Sequence, residues 1–201
     1  MKQRNVRMLC ECALMLALAV ALSYVKIISL PFAFGGSVTL LSMLPICLVS
    51  IKYGVAQGLS VAFLYAWFQI LQGEVFAWGL TPGMLIGSLL LDYLVAFTVL
   101  GLAGILRRRG TVGILVGVTV VCVLRFISHF LAGGILWANF EEFIAFGQEW
   151  FNRPWLYSLC YNGIYMLPET VFTVLGAFFV LRTPALARFI QAKRNRSQRS
   201  A

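Results

Sequence analysis

Three residues carry charge inside otherwise apolar stretches of this chain: Asp92, Arg125 and Glu169. An ionised side chain in such surroundings is costly, so each is a functional candidate before anything else is known of it. His129 follows Arg125 by four residues, and Gly133 and Trp137 continue the interval. On a helix that spacing forms one stripe, presenting a guanidinium, an imidazole, a gap and an indole. Asp92 with Tyr93, and Tyr157 with Asn162, add a carboxylate, two phenols and an amide from two other stretches. A carboxylate beside aromatic rings suits a small, flat, cationic ligand, because the carboxylate meets the charge and the rings stack on the plane.

Counted from the ends of their stretches, Asp92, His129 and Asn162 lie at matching depths, roughly 9–12 Å from one side at ~1.5 Å per residue. Tyr93, Trp137 and Tyr157 bracket that level, which describes a partly apolar pocket with a few convergent polar groups. Each residue also has a plainer reading. Asp92 and Arg125 would form an ion pair gluing two helices, and His129 would be a hydrogen-bonded core residue. Trp137 and Tyr157 would be interface aromatics, and Asn162-Gly163 a helix irregularity. Glu169, directly after Pro168, reads as a polar contact tied to a kink, because it sits deeper than the others. The common depth of the remaining groups favours the joint reading.

Composition dictates the scaffold that carries these groups. The 201 residues are 61% hydrophobic and 11% charged, more apolar surface than a soluble core of this length can bury. Apolar runs of about twenty residues recur, and in hydrocarbon an unbroken run satisfies its backbone groups as helix. The expected fold is an all-α membrane protein, a single domain over residues 1–201, with six transmembrane helices at 7–29, 39–51, 55–71, 84–106, 112–137 and 156–181. The second is short for a full crossing, so it is tilted or extended by Gly35-Gly36-Ser37.

The net charge of +9 resides in clusters that flank the apolar runs: Lys2, Arg4 and Arg7; Arg107, Arg108 and Arg109; Arg188, Lys193, Arg194, Arg196 and Arg199. That distribution marks topology and a membrane surface, and no nucleic-acid partner is expected. With the N-terminus inside, every Lys and Arg except Lys26, Arg125 and Arg153 falls on the cytoplasmic side. Both termini are then cytoplasmic, and residues 188–201 form a basic cytoplasmic tail. The opposite loops hold Glu74, Glu141, Glu142 and Glu149. The loop at 138–154 is rich in aromatics, Phe140, Phe143, Phe146, Trp150 and Phe151, with Trp155 just beyond; it suits a membrane interface or a lid.

Other signals are negative or structural. The five cysteines include no CxxC pair and the chain has one histidine, so neither a metal site nor a cofactor is expected. The first apolar run has a basic leader like a signal peptide, but it is too long for a signal core and no polar cleavage region comes after it. No GxxxxGK[ST] loop and no HExxH helix occurs, so the chain does not hydrolyse ATP by itself. Ala13, Ala17 and Ala21 recur at four-residue spacing and give the first helix a smooth strip. Such a strip packs inside the protein or docks a membrane partner.

These residues together resemble the thiamine-specific substrate-binding (S) components of energy-coupling factor vitamin transporters. The resemblance is carried by Gly35-Gly36-Ser37-Val38-Thr39 with Ser42-Met43-Leu44-Pro45, Leu91-Asp92-Tyr93 with Ala96-Phe97, His129-Phe130-Leu131-Ala132-Gly133 with Trp137, and Tyr157-Ser158-Leu159 before Asn162-Gly163. It implies a six-helix bundle in the bacterial cell membrane that captures thiamine from outside without covalent chemistry. It also implies partners that supply the power, a membrane coupling subunit and two ATPase subunits. By motif, Asp92 takes the acidic ligand position, Tyr93 adds a hydroxyl beside it, and His129 and Trp137 supply ring contacts, Trp137 against the aminopyrimidine. Gly133 leaves room for the ligand, and Tyr157 and Asn162 bond its polar edges. Ala13 and Ala17 match the strip facing the coupling subunit. Some family members carry an aromatic ligand contact where this chain has Phe34 and Gly35, so that contact is not assigned.

Two rivals stand beside this reading. One is an S component for another vitamin or a thiamine precursor. The other is a small intramembrane enzyme using Asp92 and His129 as acid and base with Ser128 as nucleophile. Ser128 and His129 are helix neighbours pointing about 100° apart, which is poor geometry for activation.

Overall fold

Helix α1 spans Lys2–Ser23 and stops short of the expected end at residue 29. Beyond Ser23 the β-branched residues Val25, Ile27 and Ile28 favour extended backbone. Residues Lys26–Ser29 form strand β1, which pairs antiparallel with β2 (Ser37–Thr39), Lys26 opposite Thr39 and Ser29 opposite Ser37, with an irregularity between Lys26 and Ile28. The Ser23 hydroxyl closes α1, lying 2.7 Å from Val20 O and 2.8 Å from the Gln72 side-chain amide. The computed structural model describes residues 2–29, 36–73, 75–137, 144–145, 148–149, 153–184 and 187. The 188–201 tail, Phe34, Gly35 and the loop aromatics up to Phe151 lie outside them.

Helix α2 covers only Leu44–Tyr53, with Pro45 in its first turn. The expected helical start at Thr39 is replaced by β2 and a turn in which Leu41 has φ 58°. Ten residues rise about 15 Å, half of a ~30 Å hydrocarbon core. An extended segment and a turn precede α2, with Val38, Thr39, Ser42 and Met43 all buried. Non-helical backbone at membrane depth is tolerated where protein covers it or where it lines a cavity.

Helix α3 (Val55–Gln72) leads to a 3-10 turn at Val75–Ala77. The fourth span, Pro82–Leu102, is continuous but not uniform. It begins as α4 (Pro82–Ser88), passes through a π-helical segment (Leu89–Val95), returns to α5 (Ala96–Thr98) and tightens to a 3-10 turn (Val99–Leu102). Arg107–Arg109 make a further 3-10 turn before α6 (Gly110–Ala132), which also ends in a π segment, Gly133–Trp137. The connection beyond it contains the short antiparallel pair β3 (Ile144–Ala145) and β4 (Gln148–Glu149). Helix α7 (Pro154–Arg182) carries Pro168 internally without interruption. Among the described residues five helices are long and apolar enough to span a membrane and α2 is a shorter apolar helix, so the architecture is an all-α membrane bundle.

Packing runs through small residues. Gly58 on α3 meets Gly101 of the fourth span so closely that a Cβ on Gly101 would lie 2.4 Å from Leu59 N. The Ser50 hydroxyl of α2 donates to Gly101 O and accepts from Gly104 N at 2.9 Å, so a polar side chain fastens α2 to the end of the fourth span. Tyr65, Ile46, Ile70 and Leu100 are buried between the helices, whereas Leu14, Trp67, Leu71, Val112 and Phe179 are exposed on the outer faces that lipid covers. At the end bearing the basic clusters, Glu11 of α1 accepts hydrogen bonds from Arg7, Lys52 and Tyr53, and Arg107 donates to Ile51 O at 3.3 Å.

Candidate functional site

A cavity of about 200 Å³ opens among α3, the fourth span, α6, α7, the β1–β2 pair and the end of α1. Asp92, Tyr93, His129, Gly133, Trp137, Tyr157 and Asn162 all line it, so the tertiary structure brings together every ligand-facing residue expected from the sequence.

Asp92 sits in the π segment of the fourth span, where one extra residue per turn re-aims the neighbouring side chains. Its carboxylate is held from two elements. Trp137 Nε1 donates to Oδ2 at 2.8 Å, Ser88 Oγ donates to the same oxygen at 3.2 Å, and His129 Nδ1 lies 3.0 Å from Oδ1. Assigned as the neutral tautomer that donates from Nδ1 to the carboxylate, the imidazole carries a lone pair on Nε2. That Nε2 is buried and has no hydrogen-bond partner among the described residues. A buried acceptor without a protein donor costs free energy unless a ligand N–H meets it.

The rings complete the walls. Trp137 meets Trp78 edge to face at 5.7 Å, Tyr157 stacks on Tyr161 at 5.6 Å, and Tyr93 stacks on Phe97 at 6.4 Å. The Tyr93 ring reaches across to the end of α3, where a Cβ on Gly73 would lie 2.2 Å from its hydroxyl. Gly133 lines the cavity, but a Cβ there would meet Ser158 Oγ at 2.3 Å. Its missing side chain therefore first admits α7. Asn162 is a tie as well as a wall: Nδ2 lies 3.0–3.2 Å from His129 O, Ser158 O and Ser158 Oγ, which share its two protons, and Oδ1 accepts from Tyr165 OH at 2.8 Å.

Two of the plainer readings need correction. Arg125 does not pair with Asp92; its Nη1 lies 3.2 Å from Glu169 Oε2, deep between α6 and α7. Glu169 is accordingly no isolated contact at a kink. It lines the cavity, is buried, and also accepts from Thr39 Oγ1 at 2.7 Å. Tyr161 and Tyr165 line the cavity too, and with Tyr157 and Glu169 they recur every four residues along α7, a stripe visible in the sequence that marks a single helix face. Thr39, Ser42, Tyr65, Gln69 and Trp78 reach the site from elements whose proximity has no local sequence signal.

The enzyme rival loses its nucleophile, because Ser128 Oγ donates to Leu91 O at 2.6 Å and is committed to the fourth span. Among the described residues no cluster of three His, Cys, Asp or Glu side chains is arranged to hold a metal. The arrangement is one of grip without chemistry: a carboxylate, a lone-pair nitrogen and stacked rings around a small volume.

A profile of the thiamine transporter protein family matches residues 9–188. The thiamine transporter ThiT of Bacillus subtilis is 32% identical over 176 residues, covering 81% of this chain and 84% of that protein. The thiamine transporter ThiT of Lacticaseibacillus paracasei is 26% identical over 181 residues, covering 82% of each. Among solved structures, ThiT from Listeria monocytogenes has the same fold, with a TM-score of 0.69 at 21% identity, covering 91% of this chain and 98% of that one.

Proposed function

The chain belongs to the thiamine transporter protein family, and from that premise we propose that the cavity between its helices holds thiamine. The protein is a multi-pass bacterial membrane protein and a non-catalytic transport subunit. The observation that carries the assignment to this cavity is the Asp92 carboxylate, which takes neutral donors from Trp137 and Ser88 and makes no salt bridge to Lys or Arg among the described residues. A permanent organic cation such as a thiazolium completes that charge.

In this reading Asp92 faces the thiazolium. Trp137 and Tyr157 flank the aminopyrimidine, and Tyr93 closes the side towards α3. His129 Nε2 accepts from a ligand N–H, and Asn162 Oδ1, which already accepts from Tyr165, keeps a lone pair for another. Gly133 holds α7 close enough for these groups to converge. The basic clusters set both termini inside, so the cavity lies towards the outer leaflet and captures the vitamin from outside.

Energy enters through partners: a membrane coupling subunit and two cytoplasmic ATPase subunits of an energy-coupling factor module. Ala13 and Ala17 support a docking face for the coupling subunit, because both are exposed on α1 while Cys12 and Ala19 on the opposite side are buried. Calorimetric titration of the purified protein with thiamine, riboflavin, biotin and the isolated aminopyrimidine tests the ligand. Saturable binding strongest for thiamine is expected; preference for one of the others overturns the assignment.

A further inference from the structure

Two carboxylates and one guanidinium line the same cavity, and their pairing decides its charge. Arg125 and His129 stand one turn apart on α6, and His129 touches Asp92. Arg125 is therefore a near neighbour of the carboxylate assigned to the cation, yet it is turned the other way. Its Nη1 lies 3.2 Å from Glu169 Oε2 and 2.8 Å from Met43 Sδ, and its guanidinium carbon sits 4.6 Å from the Phe97 ring centre. Both partners of the ion pair are buried, Arg125 at 6% and Glu169 at 3% exposure. Glu169 is in turn fixed by Thr39 Oγ1, which also bonds Ser42 Oγ at 2.6 Å. The remaining cation on the lining, Lys26, is exposed on β1, where solvent screens it.

Resting on the reading that the cavity takes thiamine, we infer that Glu169 is a positioning residue that sets specificity through Arg125: it sequesters and neutralises the guanidinium, so that the cavity presents the uncompensated charge of Asp92 to a cation. Without Glu169 the guanidinium is a buried positive charge with two outlets, and both oppose a cationic ligand. It repels the ligand where it stands, or it swings to Asp92 and occupies the ligand's counter-ion. Acting through Arg125, Glu169 needs no ligand contact of its own.

The test compares thiamine with its neutral deaza isostere, in which carbon replaces the quaternary nitrogen, by titration of the purified full chain. The readout is the ratio of their affinities, which a general loss of packing does not move. Glu169→Gln keeps the acceptor for Thr39 but removes the charge, and is expected to lower the thiamine preference roughly tenfold or more. Arg125→Met leaves an added negative charge and is expected to hold or raise the preference. The double variant, Glu169→Gln with Arg125→Met, restores it towards the wild-type ratio. An unchanged ratio in Glu169→Gln overturns the inference, and so does a lowered ratio in Arg125→Met or in the double variant, which also cover the case where Glu169→Gln does not fold. Failure of the wild-type protein to bind thiamine overturns instead the functional reading beneath it.

Discussion

At the scale of residues, the site is organised around one carboxylate. Asp92 accepts from an indole N–H and a hydroxyl, both neutral donors, and faces the His129 imidazole, so no Lys or Arg among the described residues cancels its charge. Asp92→Asn is expected to weaken thiamine binding about ten- to hundredfold, the range for losing a buried interaction with a charged group. The neutral aminopyrimidine fragment should lose far less; equal losses in a paired titration would mean that the carboxylate does not sense the ligand's charge. Trp137→Phe keeps an aromatic ring and removes the Nε1 donor to Asp92 Oδ2. Its expected cost is a few-fold to about tenfold in thiamine affinity, the net worth of one hydrogen bond, read by the same titration.

At the scale of elements, two local departures from α-helix carry the site. Asp92 and Tyr93 lie in the π segment Leu89–Val95, and Gly133 and Trp137 in the π segment Gly133–Trp137. Widening a turn shifts the helical register beyond it, which brings residues from different turns towards one cavity. These helices reach each other only because small residues let them. Gly101→Ala would place a Cβ 2.4 Å from Leu59 N, against backbone that has no rotamer to yield. Overpacking of this kind costs about 1–3 kcal/mol, so a lowered melting temperature of the detergent-solubilised protein is expected, with thiamine partly restoring it. An unchanged melting temperature would show that α3 and the fourth span have slack at this crossing.

At the scale of the whole molecule, the proposed function assigns ligand binding and partner docking to different surfaces of the bundle. The cavity is walled by β1, β2, α3, the fourth span, α6, α7 and the last residue of α1, Ser23, whereas Ala13 and Ala17 are exposed further back on α1 and do not line it. Ala13→Trp or Ala17→Trp should therefore leave thiamine affinity unchanged in the purified protein and abolish uptake in cells. Intact uptake by either variant would remove this strip of α1 as the docking face.

Much of this protein is legible in one dimension, because the bilayer imposes strong local rules. Apolar runs long enough to cross must be helical, and the Lys and Arg between them orient the bundle, so the long helices and the depth shared by Asp92, His129 and Asn162 emerge from counting along the chain. Other features exist only once the elements are packed. The end of α1 at Ser23 and the pairing of β1 with β2 replace helix by strand where a hairpin and a cavity wall satisfy the backbone. The choice of Glu169 over Asp92 as the partner of Arg125 joins residues 44 positions apart, and the Thr39–Glu169 bond joins residues 130 apart. Side-chain type and helical period state which groups are available and on which face. Which carboxylate a buried guanidinium meets depends on how two helices and a strand are packed, and no local pattern encodes that distance.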